Sequence, residues 1–362
     1  MSSLSPNKKA WQKFKKNYLA LFALGYIAIL CFLAFFSYVL APDPTPNANE
    51  QFQKLAQRSP GFSIEMLQLK SSKEENSNFI SYLFFGKERS YSLLAVDSVK
   101  EISDSVLKVY PYEGVEYTIS SAELADSDLN NSMLTKTFYL GTDQLGRDIL
   151  SRLLLGSRVS LMVGFFAVLI SSSIGIFLGA LAGFYRSWVD RIILWKMSIF
   201  WSIPTILLSM ALYVSLKSYF SSSLWLIFIA IGLTMWVSMA RIVRGQMMSY
   251  REIQFVEAAG SLGYSDFRII FRHILPNLIG PIVVIMASSF ANAILVESGL
   301  SFLGLGVQAP APSWGGMLSE FKDFIGTDLS YLAVLPGFLI MSLVLAFNLV
   351  GNGLRDALDT KN

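Results

Sequence analysis

The chain has 362 residues, 53% hydrophobic and 14% aromatic, with a net charge of +3. Only 15% of residues are charged, against about 25% in soluble domains. This excludes an ordinary water-soluble globule and points to an integral membrane protein, and so small a charge is no argument for nucleic acid.

A bilayer-spanning helix needs about 20 mostly apolar residues. The first such run is 18–40, and its left flank carries Lys8, Lys9, Lys13, Lys15 and Lys16 with no acid. Positive residues stay on the cytoplasmic side, so 1–17 is expected there. The run is long and bulky and ends at Ala41-Pro42-Asp43-Pro44. An uncleaved span (18–41) fits this better than a signal peptide, whose core is shorter and ends in small residues. Cys31 lies in this run and reads as an apolar filler facing lipid or a neighbouring helix.

Composition changes sharply over 42–140, which is charged, acidic and rich in Ser and Asn. Two pieces, 91–99 and 106–120, mix β-branched and aromatic residues with polar ones and predict strands. Residues 70–78 (KSSKEENSN) predict a loop. The whole reads as a small extracytoplasmic insert, either a contact surface for an external partner or an insertion with no separable role.

A charge-rich helix is expected over 141–158, before the second span. Its spacing sets Arg147 one turn from Ser151, and Asp148 one turn from Arg152. A structural ion-pair helix on the external surface fits it better than a substrate contact.

Residues 159–352 then hold five more apolar runs, 159–184, 192–216, 224–243, 278–296 and 331–350. Pro204 predicts a kink in the third span, and such breaks are tolerated when neighbours satisfy the freed groups. Six spans from an inside start return 353–362 to the cytoplasm. They also place 185–191 and 241–276 there, and both hold more Arg than acid.

The segment 250–276 is polar between apolar runs. Glu257-Ala258-Ala259 is expected to continue the helix from Tyr250-Arg251-Glu252, and Gly260 and Gly263 to make a turn. Ser265 is placed as an N-cap, with Asp266 in the first turn. Phe267, Ile270, Phe271 and Ile274 then fall on one helical face, with Arg268 and Arg272 opposite. Pro276 is expected to end the unit. An interfacial helix on lipid would suit the aromatics and arginines, but it needs neither the glycine turn nor Glu257. A helix-in-groove contact with a cytoplasmic protein uses every part.

Glu257-Ala258-Ala259, three residues, Gly263, then Leu275-Pro276 resembles the EAA signature of binding-protein-dependent ABC permeases. The signature's Ile position holds His273, with Ile274 one place on; His273 itself reads as a polar-face residue. The stretch from Gly141 to Asp148 (GTDQLGRD) with Ser151, Arg152, Gly156 and Arg158 is similar to permeases of the dipeptide/oligopeptide/nickel class. So are Leu300 to Gly306 (LSFLGLG), Pro312-Ser313-Trp314-Gly315, and the end from Phe347 to Asp359, with Asn352 where Asp is commoner. The resemblance covers nearly all the chain except 42–140.

It implies an all-α permease with six transmembrane helices, of the type I ABC importer class, in the bacterial inner membrane with both termini cytoplasmic. The implied partners are a homologous second permease subunit, two cytoplasmic ATPase subunits, an extracytoplasmic solute-binding protein and the lipid bilayer. ATP and Mg would be bound by the ATPases, with no cofactor in this chain, which is not itself an enzyme. The ATPase-coupling residues implied are Glu257, Ala258, Ala259, Gly263, Ser265, Asp266, Phe267, Ile270 and Phe271. Peptide is the implied cargo; nickel, a glycoside or an antibiotic-like peptide would use the same machinery. A stand-alone channel or secondary transporter is the rival of another class.

The sequence contains no G-x-x-x-x-G-K-[ST] phosphate loop. Gly304 to Ala309 matches G-x-G-x-x-A, but Pro310 and Pro312 follow where a dinucleotide site needs a helix. One cysteine and one histidine, Cys31 and His273, supply no disulfide, zinc site or histidine triad. Glu297, near the external end of the fifth span, would cost about 2.5–3.5 kcal/mol facing hydrocarbon. It is expected to pair with a neighbouring helix or face a water-filled path. Asn292 and Asn348 are weaker pathway candidates.

Overall fold

The computed structural model describes residues 6–71, 78–103, 105–126, 128–220 and 224–358. The loop expected at 70–78 falls largely outside the described residues, as do the last four residues of the tail. Helix α1 (Pro6–Lys16) leads into α2 (Tyr18–Phe35), whose first turn is capped by the Asn17 side chain accepting from the Ala20 amide at 3.1 Å. Phe14 of α1 is buried against the last helix, where a Cβ on Gly353 would come within 3.2 Å of its ring. The basic N-terminal segment is therefore a helix packed on the bundle, which the lysine pattern did not reveal.

The short helix α3 (Ser37–Leu40) ends the first span. The insert then forms a five-stranded antiparallel sheet in the order β4-β3-β2-β1-β5. Its strands are β1 (Phe62–Lys70), β2 (Tyr91–Ser103), β3 (Val106–Pro111), β4 (Tyr117–Ser120) and β5 (Met133–Phe138). Helix α4 (Phe79–Phe85) lies between β1 and β2, and α5 (Leu129–Ser132) precedes β5. β1 lies between β2 and the edge strand β5: Glu65 pairs with Val96 of β2 on one side and with Thr135 of β5 on the other. One apolar layer holds Leu67, Val96, Leu107, Val109 and Ile119, and the other Leu55, Ile64, Met66, Ala95 and Phe138. Both strands expected from composition are present, the second split into β3 and β4; β1, β5 and α4 were not foreseen.

Helix α6 (Ile149–Tyr185) has 37 residues, about 55 Å at 1.5 Å per residue. It absorbs most of the separate helix expected at 141–158; residues 141–148 are a turn. Helices α7 (Ser187–Ser202) and α8 (Thr205–Lys217) follow, then α9 (Leu224–Arg251), α10 (Gln254–Ser261) and α11 (Asp266–Arg268). A π-helical turn, Ile269–Ile274, and a 3-10 turn, Leu275–Leu278, lead into α12 (Ile279–Phe302). Helices α13 (Trp314–Phe321) and α14 (Tyr331–Leu358) complete the chain.

Five described segments are long and apolar enough to span a bilayer: α2, α6, α9, Asp266–Phe302 and α14. The third run is more than kinked. α7 and α8 meet at 96° about Ile203 and Pro204, and supply a sixth crossing if the bent pair is one span. Proline removes a backbone donor and clashes with the preceding turn, which favours a break at Pro204. Helices α6 and α9 pack closely at three successive turns of α6. A Cβ on Gly175 would lie 2.6 Å from Met239 Cβ, one on Gly179 2.5 Å from the Ala240 carbonyl, and one on Gly183 2.6 Å from the Arg244 carbonyl. Small residues at four-residue spacing let helix backbones approach.

Candidate functional site

The segment joining α9 to α12 is built as a folded unit. α9 stops at Arg251, and α10 starts afresh after Ile253. The expected continuous helix is thus broken at Glu252, which Arg186 of the α6–α7 turn holds at 2.7 Å. At the far end of α10, the Tyr264 amide donates to the Ala259 carbonyl (3.2 Å), and the Gly263 amide to the Gly260 carbonyl (2.9 Å). This paired closure needs a left-handed residue at its centre, and Gly263 has φ +77°. Gly260 is simply helical.

Ser265 stands at the N-cap of α11, but its side chain makes no capping bond; Asp266 occupies the first turn. The expected four-residue apolar face is divided. Ile269, Ile270 and Ile274 are buried, whereas Phe267 is 68% and Phe271 37% exposed, their rings 4.4 Å apart. The π-helical turn explains the division, since an extra residue per turn rotates the 3.6-residue register. Pro276 does not end the unit: it lies in the first turn of the 3-10 segment that runs into α12.

The buried side is continuous with the bundle. Val256, Ala259, Ile269, Ile270 and Ile274 share one core with Phe184 of α6 and with Met239, Val243 and Met247 of α9. The outer side presents Glu257, Ala258, Ser265 and Asp266 with exposed Phe255, Leu262 and Phe267. His273, expected on the polar face, is half-buried and stacks on Tyr264, ring centroids 5.5 Å apart, while Arg268 covers Tyr264 at 4.4 Å.

The three pathway candidates separate. Asn292 lines a cleft of about 440 Å³ at the α7–α8 bend with Trp201, Pro204, Thr205, Thr234 and Ser289. Ser209 and Thr234 hydroxyls, 2.9 Å apart, hold α8 to α9 beside it. Asn348 is exposed on α14 and is not among the cleft residues. Glu297 is fully buried and outside the cleft; it accepts from the Ser301 hydroxyl at 2.8 Å. That hydroxyl lies one turn on along α12 itself, not on the neighbouring helix that was expected to pair with Glu297. The polar hydroxyls of the cleft were missed, although the proline interruption pointed to their position.

At the insert end, the charged approach to α6 is buried rather than on the surface. Arg147 Nε donates to Asp143 at 2.6 Å, Asp143 accepts the Leu145 and Arg147 amides at 2.9 Å, and Arg147 also reaches Glu320 of α13. Arg152 adds a 3.5 Å contact to Glu320. Asp148 caps α6 through the Ser151 amide instead of pairing with Arg152. Trp314, buried, donates to the Leu153 carbonyl at 3.0 Å and fixes α13 on α6. Gly146 has φ +72°, and a Cβ there would lie 1.8 Å from the Phe52 carbonyl.

Residues 175–362 match the family model described as binding-protein-dependent transport system inner membrane component, and 5–60 the N-terminal TM domain of oligopeptide transport permease C. The glutathione transport system permease protein GsiD of Pectobacterium atrosepticum is 39% identical over 251 residues, 69% of this chain and 79% of that one. The dipeptide transport system permease protein DppC of Alkalihalophilus pseudofirmus is 42% identical over 245 residues, 67% of this chain and 79% of that one. Among solved structures, a chain of the inward-facing MetNI methionine ABC transporter aligns with a TM-score of 0.48 and 19% identity, over 57% of this chain and 96% of that one. From the matched 188 residues of 175–362 and these relatives, the chain belongs to the inner-membrane permease components of binding-protein-dependent transport systems.

Proposed function

We propose that this chain carries di- or oligopeptides across the inner membrane, with both termini and the α9–α12 loop cytoplasmic. A solute-binding protein delivers the peptide from outside, a homologous second permease subunit supplies the other half of the path, and two ATPase subunits bind the loop. ATP and Mg are held by those ATPases. The relatives named for glutathione and dipeptide transport favour peptide over nickel or glycosides.

The observation that carries the reading is the two-sided loop. Its buried isoleucines are fused to the ends of α6, α9 and α12, while Glu257, Phe255, Leu262 and Phe267 face outward. An ATPase groove that takes up the outer side moves the helices through the inner side. Coupling requires that the groove bind the loop differently when the ATPases are closed and open. The α7–α8 bend is the place in the bundle for the path. Its interrupted backbone is tolerable at membrane depth only where it lines water or protein, and Asn292, Thr205 and Ser289 supply polar groups there.

ATP-dependent uptake of a labelled dipeptide by the reconstituted complex tests the proposal. Loss of uptake on Glu257→Ala, with the chain still folded, is the expected result. Full uptake without ATPase subunits would instead make the chain a stand-alone carrier and overturn the reading.

A further inference from the structure

Helix α4 has the sequence FISYLFF, and only Leu83 is buried. Phe79, Ile80, Phe84 and Phe85 are 63%, 66%, 45% and 72% exposed. So short a helix is not stable alone in water, and so aromatic a face left in water would be an aggregation hazard.

Its attachments show where it sits. Tyr82 Oη donates at 2.9 Å to the carbonyl of Tyr38, in α3 at the end of the first span. Arg158 of α6 donates to the Leu83 carbonyl at 3.0 Å, and its guanidinium lies 5.2 Å from the Phe84 ring and 5.6 Å from the Tyr38 ring. Phe84 meets Phe35 of α2 edge-on at 6.1 Å. Phe35 belongs to the outward side of α2, with exposed Phe22, Ile29 and Phe32. The apolar face of α4 therefore continues the exposed apolar side of α2, a helix long and apolar enough to cross a bilayer. Gly86, at φ +83°, then turns the chain sharply to Lys87, Glu88 and Arg89.

We infer that α4 is an interfacial helix, seated by Phe79, Ile80, Phe84 and Phe85 in the lipid leaflet on the insert side. Helices with Phe and Leu on one face lie in the plane of this boundary with that face buried among the acyl chains. Lipid is the occupant because the face is joined to the outward side of α2, a helix long and apolar enough to cross a bilayer. The helix thus fixes the height of the five-stranded sheet above the bilayer.

The test places a nitroxide at residue 80, 85 or 115 in separate Cys31→Ser chains (Ile80→Cys, Phe85→Cys, Val115→Cys), each in the full transporter in lipid nanodiscs. Val115, 86% exposed beside Glu116 and Lys108, is the aqueous reference. Collision with oxygen should exceed collision with an aqueous nickel chelate at 80 and 85, and the order should reverse at 115. Nickel-dominated collision at 80 and 85 overturns the inference, and so does exclusion of both agents, which would mean a protein cover. In the unsubstituted chain, a photoactivatable lipid should label peptide 79–85; no labelling there would count against the proposal even if a cysteine variant failed to fold. The readout is independent of cargo.

Discussion

Two regions of this molecule hold a concentration of family-type residues, and they treat their charges oppositely. The turn 141–148, with α13, buries Asp143, Arg147 and Asp148 and joins them through hydrogen bonds to the fold. The α9–α12 loop leaves Glu257, Asp266 and Phe267 in solvent, though its glycine closure is just as well defined. A buried ionic turn is explained by the structure around it. The exposed side of the loop, with Glu257 and Phe267, is the side that the proposed ATPase contact would use.

The contrast breaks most visibly at Arg147. Arg147→Ala leaves the Asp143 carboxylate buried without its closest cation, a loss of about 3–5 kcal/mol. Thermal unfolding of the purified chain should show a large drop in midpoint. An unchanged midpoint would mean that the buried turn does not hold α6 to α13.

Next in size is Gly263. A side chain at its positive φ costs about 1–2 kcal/mol, so Gly263→Val should lower the same midpoint moderately and weaken ATPase retention. Smaller still in stability, but not in function, is Phe267. Phe267→Ala should shift unfolding by less than about 0.5 kcal/mol while reducing co-purification of the ATPase. If stability falls as it does for Arg147→Ala, the outward side of the loop is structural and the contrast fails.

The smallest effect concerns Asp148. Burial pushes its carboxyl above the usual range, against hydrogen bonds from Ser151 that pull it down. A raised acid gives stability that is full below the ordinary value of about 4 and is lost as pH rises through the folded value. The unfolding midpoint should therefore decline slightly across that window, and Asp148→Asn should flatten the decline. A slope identical in both chains would show that another group titrates there.

Some of this architecture follows from local pattern alone. Apolar runs of about 20 residues mark spans whatever their neighbours, Pro204 marks an interruption, and Glu257 with Gly263 marks the loop. Gly263 was legible because positive φ is a property of one residue and its immediate hydrogen bonds. The strands β2 and β3 were legible in part from residue type, whereas β1 and β5 were not, because pairing such as Glu65 with Thr135 joins residues far apart in the chain.

Tertiary structure decided what each charge and each apolar side chain does. Arg147 reads as a surface helix residue until Glu320, 173 positions later, is folded against it. Phe267 and Ile270 share a helical face on paper; the π-helical turn separates them, and only the second enters the core with α6 and α9. Likewise Asn292, Glu297 and Asn348 are three polar residues in apolar runs, and only Asn292 reaches the cleft. Spans and turns arise from short-range sterics and transfer from water, which a sequence displays directly. Burial, partners and clefts arise from contacts between distant segments, and those exist only once the chain is folded.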